Sequence, residues 1–402
     1  MTTEHSGSDF DLDEYVDEYA ESQEEQGNEI VAPTNADEDD QGLVPLDLSE
    51  ALDKHHEIQR ANNRAKDTII SHNSRLKKFL AWLRIHDVES TADIRRLHFR
   101  EYRTQRSKNV KKITTKTHMN TISAFVRNLE EVQAVPEGMS EYVRAPSLAG
   151  EEGKRSDHLP VPRGDRILGH ARKYWWGSME HVLFELYWAA AIRLGGIHSL
   201  DADDFDASEP SIDLKHRPDT GTTLKNKYDG ERTVSLTETT AEAIEDYLSN
   251  PERPDVVDEH GREPLLASQA GGRPSKSHLR NITYWMTLPC NSQEGCPYDD
   301  RDPNECEYRK NKNHSSKCPG SKAPHALRSG ALTRQIKREV PPHLISERAN
   351  VSVETLYEHY VELSEKERMQ VRRKWFDDEY GVSGGKAEEM VFGEFIDDHI
   401  GE

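Results

Sequence analysis

Near the C-terminal end of the chain, three residues have side chains that could act together on a phosphate ester. His325 is an acid or base, Arg328 is a phosphate-binding cation, and Tyr360, 32 residues after Arg328, is a phenolic nucleophile. The pattern around them predicts a single helical segment of the chain. A lone His-x-x-Arg is common, and its ordinary interpretation is a surface histidine beside a solvated arginine. Whether these three residues indicate a common site depends on residues that come earlier in the chain.

Two further cations lie upstream, each in an element that should restrict its position. Arg193 follows the apolar run 186–192, which predicts a buried helix carrying one arginine and then a turn into a strand. Burying an arginine is costly unless it meets an anion, and a phosphate would serve. Lys225 lies in the stretch 223–236, which predicts two extended runs joined at Asp229-Gly230, hence a hairpin with lysine near its tip.

This ordered set resembles that of the tyrosine recombinases, the phage-integrase and Xer-like family, over roughly residues 55 to 380. The resemblance implies five catalytic residues: Arg193, Lys225, His325, Arg328 and Tyr360. By it, the two arginines clamp the phosphate, the tyrosine forms a 3′-phosphotyrosyl bond, and the lysine protonates the leaving 5′-hydroxyl with help from the histidine. Catalysis of this kind needs no cofactor, because the covalent intermediate conserves the energy of the broken bond.

The sequence leaves some positions open and departs from the family at one. Tyr357 is a rival nucleophile, although the spacing favours Tyr360. Lys227 competes with Lys225, which we favour because it lies on the strand side of the turn. Where most members carry a histidine or tryptophan, this chain has the run Asn350-Val351-Ser352. Asparagine could bind a phosphate oxygen but valine cannot, and a lost donor costs on the order of a hundredfold in rate.

The elements that must position these residues predict a mainly α fold with a small antiparallel β-sheet. Apolar residues recur at helical spacing over Asp53 to Ile85, Thr91 to Arg106 and Thr115 to Leu129. The resemblance makes this bundle a helical, SAM-like core-binding domain that precedes an α+β recombinase catalytic domain. A charged amphipathic helix is predicted from Leu363 to Phe376, and it could pack within the chain or on a neighbouring protomer.

Composition shifts set the predicted boundaries of the domains. We expect a disordered acidic tail at 1–48, the core-binding domain at 53–135, a Pro- and Gly-rich linker at 136–162, the catalytic domain at 163–380 and a C-terminal tail at 381–402. The acidic tail is interpreted as a solvating segment, with an interaction segment or DNA mimic around its aromatic residues as the alternative.

The formal net charge of -21, taken alone, argues against a nucleic-acid partner. However, residues 1–50 hold 17 acidic residues and no Lys or Arg, whereas residues 51–150 carry a net charge of +8. Within that basic region a cluster beside the third predicted helix is a candidate DNA-backbone site, formed by Arg103, Arg106, Lys108, Lys111, Lys112 and Lys116. The acid-rich remainder resembles proteins of salt-loving archaea.

All four cysteines fall in one predicted insertion, 288–320, within the catalytic domain: Cys290, Cys296, Cys306 and Cys318. Such confinement in a chain expected to be intracellular favours a structural zinc site over disulfides. Against it, the chain has no C-x-x-C pair, His314 could replace one ligand, and free or redox-active thiols are the alternative. The charged, turn-rich insertion has little apolar surface to bury, which favours a metal.

The leading hypothesis is a site-specific DNA recombinase or integrase that acts on double-stranded DNA as a dimer or tetramer. One alternative is a type IB topoisomerase-like nicking and closing enzyme, which uses the same chemistry. The other is a catalytically weakened DNA-binding regulator, which the missing histidine or tryptophan near Val351 would explain. No hydrophobic run or signal-peptide pattern suggests a membrane, so we expect a cytoplasmic protein.

Overall fold

The computed structural model describes residues 15–16, 19, 42–148, 157–292, 296–298, 302–361, 365–366 and 368–369. The chain divides into two compact units between Arg155 and Ser156. Most of the predicted acidic tail, the whole predicted C-terminal tail and most of the predicted helix from Leu363 to Phe376 lie outside the described residues.

The first unit is a helical bundle around an aromatic core. Its helices are α1 (Leu48–Ala61), α2 (Lys66–Ile85), α3 (Arg96–Asn109) and α4 (Lys112–Glu131). Of the side chains predicted to lie on apolar faces, Ile70 and Leu97 are exposed, but Phe79, Phe99, Ile122 and Phe125 are almost fully buried. Their burial confirms the helical periodicity read from the sequence.

The predicted helical run from Asp53 to Ile85 is wrong in one respect, because it is two helices. The chain breaks between Ala61 and Lys66, where Asn63 takes a left-handed backbone conformation (φ 51°). Asparagine tolerates that conformation better than most residues. Asp47 fixes the start of α1 by accepting a hydrogen bond from the Ser49 backbone N–H at 2.7 Å.

The second unit is also mainly helical. Its helices are α5 (Val161–Tyr174), α6 (Met179–Trp188), α7 (Leu194–Ser199), α8 (Glu238–Ser249), α9 (Lys276–Met286), α10 (Pro289–Ser292), α11 (Glu307–Lys310), α12 (Pro324–Lys337), α13 (Pro342–Ala349) and α14 (Val353–Val361). No helix in the described part of the chain is long and apolar enough to cross a membrane.

A small antiparallel sheet completes the second unit and confirms the predicted fold class. Strands β1 (Phe205–Asp206), β2 (Ser211–Leu214) and β3 (Arg232–Ser235) pair in that order, with Ile212 opposite Val234. The tight hairpin predicted within 223–236 is wrong, since the first strand of the pair is β2. The long connection 215–231 holds Lys225 in irregular backbone, which two 3₁₀ turns and Gly221 (φ 70°) keep out of the sheet.

Two predicted helical segments are interrupted. Arg193 does not lie on the buried helix, because α6 ends at Trp188 and Arg193 is the extended N-cap residue of α7. The stretch from His325 to Tyr360 is three helices, α12 to α14, rather than one. Pro341 and Pro342 separate the first two, and Asn350, with φ 49°, turns the chain before the third.

The core of the second unit is built around the Trp188 side chain, which is fully buried. A Cβ added at Gly164 on α5 would lie 2.0 Å from the indole, and one at Gly330 on α12 would lie 2.8 Å from it. Only glycine at both positions lets α5 and α12 approach the ring this closely. The packing fixes α12, which carries His325 and Arg328.

Candidate active site

Arg328 joins three segments of the second unit. Its side chain is buried, with 4% of its surface exposed, on the inner face of α12. One guanidinium nitrogen, Nη1, donates to the carbonyl of Ala191, and Nη2 donates to the carbonyl of Ala349 at 2.7 Å. Ala191 aims its carbonyl from a left-handed conformation (φ 52°). Arg328 is therefore fixed between the turn before Arg193 and the turn before α14.

Arg193 lies at the entrance to α7 with a half-buried side chain. Among the residues that the structure describes, none accepts a hydrogen bond from its guanidinium and no carboxylate pairs with it. Burial lowers its pKa, because removing a cation from water without a compensating anion disfavours the charge. This position is consistent with the expectation that the arginine awaits an anion.

Arg193 and the predicted lysine line the same cavity. Its polar lining side chains are Arg193, Lys225, Asn226, Arg232 and Asn350. Among the residues that the structure describes, none that lines the cavity is acidic, and the remaining lining residues are Ile192, Gly196, Leu214, Leu224 and Gly230. Lys225 is exposed at the rim, whereas Lys227, also exposed, is not one of the lining residues.

The cavity and its surroundings hold an excess of buried positive charge. Burial, followed by the charges of Arg193 and Arg232, lowers the pKa of Arg328 to about 9. Burial, followed by Arg193 and Arg348, lowers the pKa of Arg232 to about 10. None of these four arginines forms a salt bridge with a carboxylate in the part of the chain described. A bound anion such as a phosphate would reduce the mutual repulsion of cations arranged in this way.

His325 and Tyr360 lie on the helices that flank this centre. His325 is exposed in the first turn of α12, one helical turn before Arg328. Tyr360 lies in the last turn of α14, which packs against α12. The rival Tyr357 lies on the same helix with 49% of its surface exposed. The side chain of Tyr360 is outside the described part of the structure, so the choice of nucleophile stays a prediction.

The turn at Asn350 and Val351 makes contacts on two sides. Val351 packs against the hydrophobic core of the unit. The Asn350 side chain accepts a hydrogen bond from Asn226 Nδ2 at 2.6 Å and donates one to the Asp229 carbonyl at 2.8 Å. Asn350 therefore binds the loop that carries Lys225, a contact that was not predicted from the sequence.

In the first unit, the predicted DNA-backbone residues lie at the end of α3 and the start of α4. Arg103, Arg106 and Lys108 belong to α3, Lys111 is the N-cap of α4, and Lys112 and Lys116 lie in its first turns. Their role stays a prediction. A cavity that was not predicted from the sequence lies in the same unit, lined by Phe99, Tyr142 and the arginines Arg96, Arg100, Arg103 and Arg144. The guanidinium of Arg96 lies 3.9 Å from the centre of the Tyr142 ring.

The four cysteines are half-buried free thiols. Burial raises the pKa of the Cys290 thiol, and the nearby thiols of Cys296 and Cys306 raise it further, so three of the four share one neighbourhood. Cys318 lies close enough to Arg163 to affect the pKa of that guanidinium. Within the described ranges, no three Cys, His, Asp or Glu side chains form a ligand group. The zinc site therefore stays a prediction.

Known proteins resemble this chain both in sequence and in fold. The chain is 25% identical to the tyrosine recombinase XerC of Chlamydia trachomatis over 155 residues, which are 37% of this chain and 44% of that protein. The match thus spans less than half the length of the curated relatives. No protein-family model matches the chain.

Two solved structures share the fold at low sequence identity. The Tn1549 transposon integrase in complex with a circular intermediate DNA has a TM-score of 0.57 at 11% identity, covering 81% of this chain and 99% of that one. A lambda integrase dimer bound to a COC′ core site has a TM-score of 0.50 at 13% identity, covering 86% and 81%.

The mainly helical second unit with its three-stranded antiparallel sheet has the fold of the integrase catalytic domain. The chain is thus similar in part of its sequence to a tyrosine recombinase, and it shares its fold with two integrases.

Proposed function

We propose that this protein is a site-specific recombinase or integrase that breaks and rejoins DNA strands through a 3′-phosphotyrosyl intermediate. The observation that carries the proposal is the cavity lined by Arg193 and Lys225, with no acidic residue among its described lining and with the buried Arg328 close enough to Arg193 for their charges to interact. A bound phosphodiester would offset the mutual repulsion of these cations.

The reaction is a transesterification at phosphorus. The phenolate oxygen of Tyr360 attacks, the Tyr O–P bond forms, and the P–O5′ bond breaks with its electron pair passing to the 5′ oxygen. Lys225 supplies the proton to that oxygen, which leaves as a free hydroxyl. Arg193 and Arg328 neutralise the charge that builds on the non-bridging oxygens. Rejoining is the same step in reverse with another 5′-hydroxyl, so no external energy source enters.

The proposed partner is double-stranded DNA, bound by an oligomer of this chain. Support comes from the net charge of +8 on residues 51–150, from the arginine-lined cavity of the first unit, and from two structural neighbours solved with DNA, one of them a dimer. Phosphate contacts of this kind position a protein on DNA, and base contacts would specify the site.

A covalent-trapping experiment tests the proposal. Tyr360→Phe protein selects its binding sequence from a pool of random duplexes, and the selected sequence is then built into a duplex nicked near the scissile phosphate. Loss of the short strand prevents rejoining and leaves a denaturant-stable protein–DNA adduct. We expect an adduct from the wild type and from Tyr357→Phe, and none from Tyr360→Phe.

Each other outcome has a meaning. A wild type that selects DNA but forms no adduct is a binding regulator, which contradicts the proposed activity. An adduct lost with Tyr357→Phe and kept with Tyr360→Phe would move the nucleophile. Relaxation of supercoiled plasmids lacking the selected site would favour the topoisomerase-like alternative.

A further inference from the structure

The β3 strand brings a third arginine to the cavity. We propose that Arg232 binds a non-bridging oxygen of the scissile phosphate beside Arg193 and Arg328, as a catalytic residue of this site. The inference rests on the proposed function, because it assigns a role within that phosphoryl transfer. The five catalytic residues implied by the family resemblance do not include Arg232.

Arg232 is positioned where a phosphate in the cavity could meet it. It begins β3 and is one of the residues that line the same cavity as Arg193 and Lys225. Two backbone carbonyls hold its guanidinium: Nε donates to Arg348 at 2.7 Å, and Nη1 donates to Gly230 at 2.7 Å. Among the described residues, none accepts a hydrogen bond from Nη2. A donor fixed in this way needs little reorganisation to meet a developing negative charge.

Within the described part of the chain, no carboxylate pairs with Arg232. Carbonyl dipoles orient the guanidinium but do not neutralise it, and the neighbouring Arg193 and Arg348 oppose it. Keeping such a cation half-buried is unfavourable in a structural element, where an apolar side chain would pack without that cost. The arrangement is favourable once an anion enters the cavity. Arg328 has two donors engaged by carbonyls, so an additional arginine fits a transition state in which the phosphate gains charge.

Arg348 provides a matched comparison. It is also a half-buried arginine next to β3, and burial lowers its pKa too. Its Nη1 donates to the Ser235 hydroxyl at 2.8 Å, and it is not one of the lining residues of the cavity. Loss of Arg348 should therefore affect stability, whereas loss of Arg232 should also affect the chemistry.

The test uses the nicked duplex described above, with either a normal phosphate or a methylphosphonate at the scissile position. Methylphosphonate replaces one non-bridging oxygen by a methyl group and removes its negative charge. We expect Arg232→Met to slow adduct formation on the normal phosphate on the order of a hundredfold. On the methylphosphonate, we use the stereoisomer that reacts faster. There we expect the rate of adduct formation by Arg232→Met to be less than roughly tenfold below that of the wild type.

Controls separate a chemical role from a structural one. Arg348→Met should change the rate of adduct formation on both substrates by the same factor. If Arg232→Met is unfolded at the assay temperature, as judged by its thermal transition, Arg232→Lys replaces it. The ratio of the rates of adduct formation on the two substrates is then measured for that variant. An equal loss on both substrates, or no loss on the phosphate, overturns the role of Arg232 and leaves the proposed function intact. Absence of an adduct from the wild type counts against the proposed function itself.

Discussion

Lys225 and Lys227 occupy one loop, two residues apart, yet they differ in what surrounds them. Lys225 lines the cavity with Arg193, whereas Lys227 lies within the adjoining 3₁₀ turn, in a left-handed conformation (φ 52°). A general acid must reach the leaving oxygen, so the position of Lys225 suits that role.

We expect Lys225→Ala to slow cleavage of the normal nicked duplex by about a hundredfold to ten-thousandfold, the usual effect of losing general acid catalysis. Replacing the 5′-bridging oxygen with sulfur should remove most of that loss, because a thiolate leaves without a proton. Lys227→Ala should resemble wild type on both duplexes. A sulfur rescue of Lys227→Ala instead of Lys225→Ala would reverse the assignment.

At this scale the sequence predicted the residue types and their order, but not their contacts. An arginine after an apolar run, and a His-x-x-Arg before a tyrosine, can be recognised in the sequence itself. The hydrogen bonds of Arg328 to Ala191 and Ala349, 137 and 21 residues away, depend on tertiary packing. Arg232 carries no local signal beyond its place after a turn glycine, so its approach to Arg193 could not be foreseen.

Turns between the elements hold the cavity together, and Asn350 is the main example. Its side chain connects the end of α13 to the connection between β2 and β3 through Asn226 and Asp229. Glycine at this position would keep the left-handed backbone and remove only the side-chain bonds. Substitution by glycine therefore isolates the effect of the contact.

We expect Asn350→Gly to speed amide hydrogen exchange in residues 225–231 and to lower stability by about 1–2 kcal/mol, since each net hydrogen bond contributes roughly 0.5–1.5 kcal/mol. Adduct formation should slow as Lys225 loses its fixed position. Asn63→Gly, at the other left-handed asparagine described above, is the control and should leave that loop unchanged. Unaltered exchange in residues 225–231 with Asn350→Gly would contradict the role of this contact.

Helix packing gives a second prediction at the scale of elements. A Cβ at Gly330 would meet the Leu159 carbonyl at 2.3 Å as well as the Trp188 ring, so Gly330→Ala should destabilise the second unit by about 1–3 kcal/mol. A Cβ added at Gly169 on α5 would have no neighbour within 4 Å among the described residues, and Gly169→Ala should stabilise by up to about 1 kcal/mol. Thermal unfolding of both variants measures the difference, and a neutral Gly330→Ala would show that the helices do not need this close approach.

The cysteine insertion is the element whose prediction still needs a measurement. We expect freshly purified protein to contain one equivalent of zinc by elemental analysis, with a closed thiolate site that is structural. Cys306→Ser should lose the metal and lower the melting temperature, because metal affinity contributes to folding. A zinc content well below one equivalent would favour free thiols.

Element types were predictable wherever periodicity was strong, as in the helices of the first unit. The breaks were less visible, because they depend on backbone conformations that the pattern does not specify, such as those of Asn63 and Asn350. The pairing of β2 with β3 across the connection 215–231 was also missed. The turn sequence Asp229-Gly230 indicated a short hairpin, but β3 pairs instead with the more distant strand β2.

For the whole molecule, buried histidines make stability depend on pH. His55 has no exposed surface and contacts His72 at 3.2 Å and Asn128 at 3.0 Å. Burial, followed by the charges of His72 and His56, lowers the pKa of His55 to about 3. Its ordinary pKa is 6.5, so the unfolded chain takes up a proton below that value and the folded chain does not.

The free energy of unfolding of the first unit should therefore be highest above about pH 6.5 and decrease as the pH falls toward 3. At pH 5, His55 alone should account for a loss of about 2 kcal/mol. Denaturant unfolding between pH 7 and pH 4.5 measures this slope. His55→Gln keeps hydrogen-bonding groups without titrating, so its slope should be smaller. An unchanged slope would assign the effect to other histidines.

The two carbonyl contacts of Arg328 have a consequence for engineering this protein. They tie the guanidinium to backbone positions just before Arg193 and just before the turn into α14. A tyrosine helix transplanted from a relative should function here only if it restores the carbonyl at position 349 in place, whatever side chains it brings. We expect chimaeras joined after Ala349 to keep cleavage activity, and chimaeras joined within α13 that shift that carbonyl to lose it.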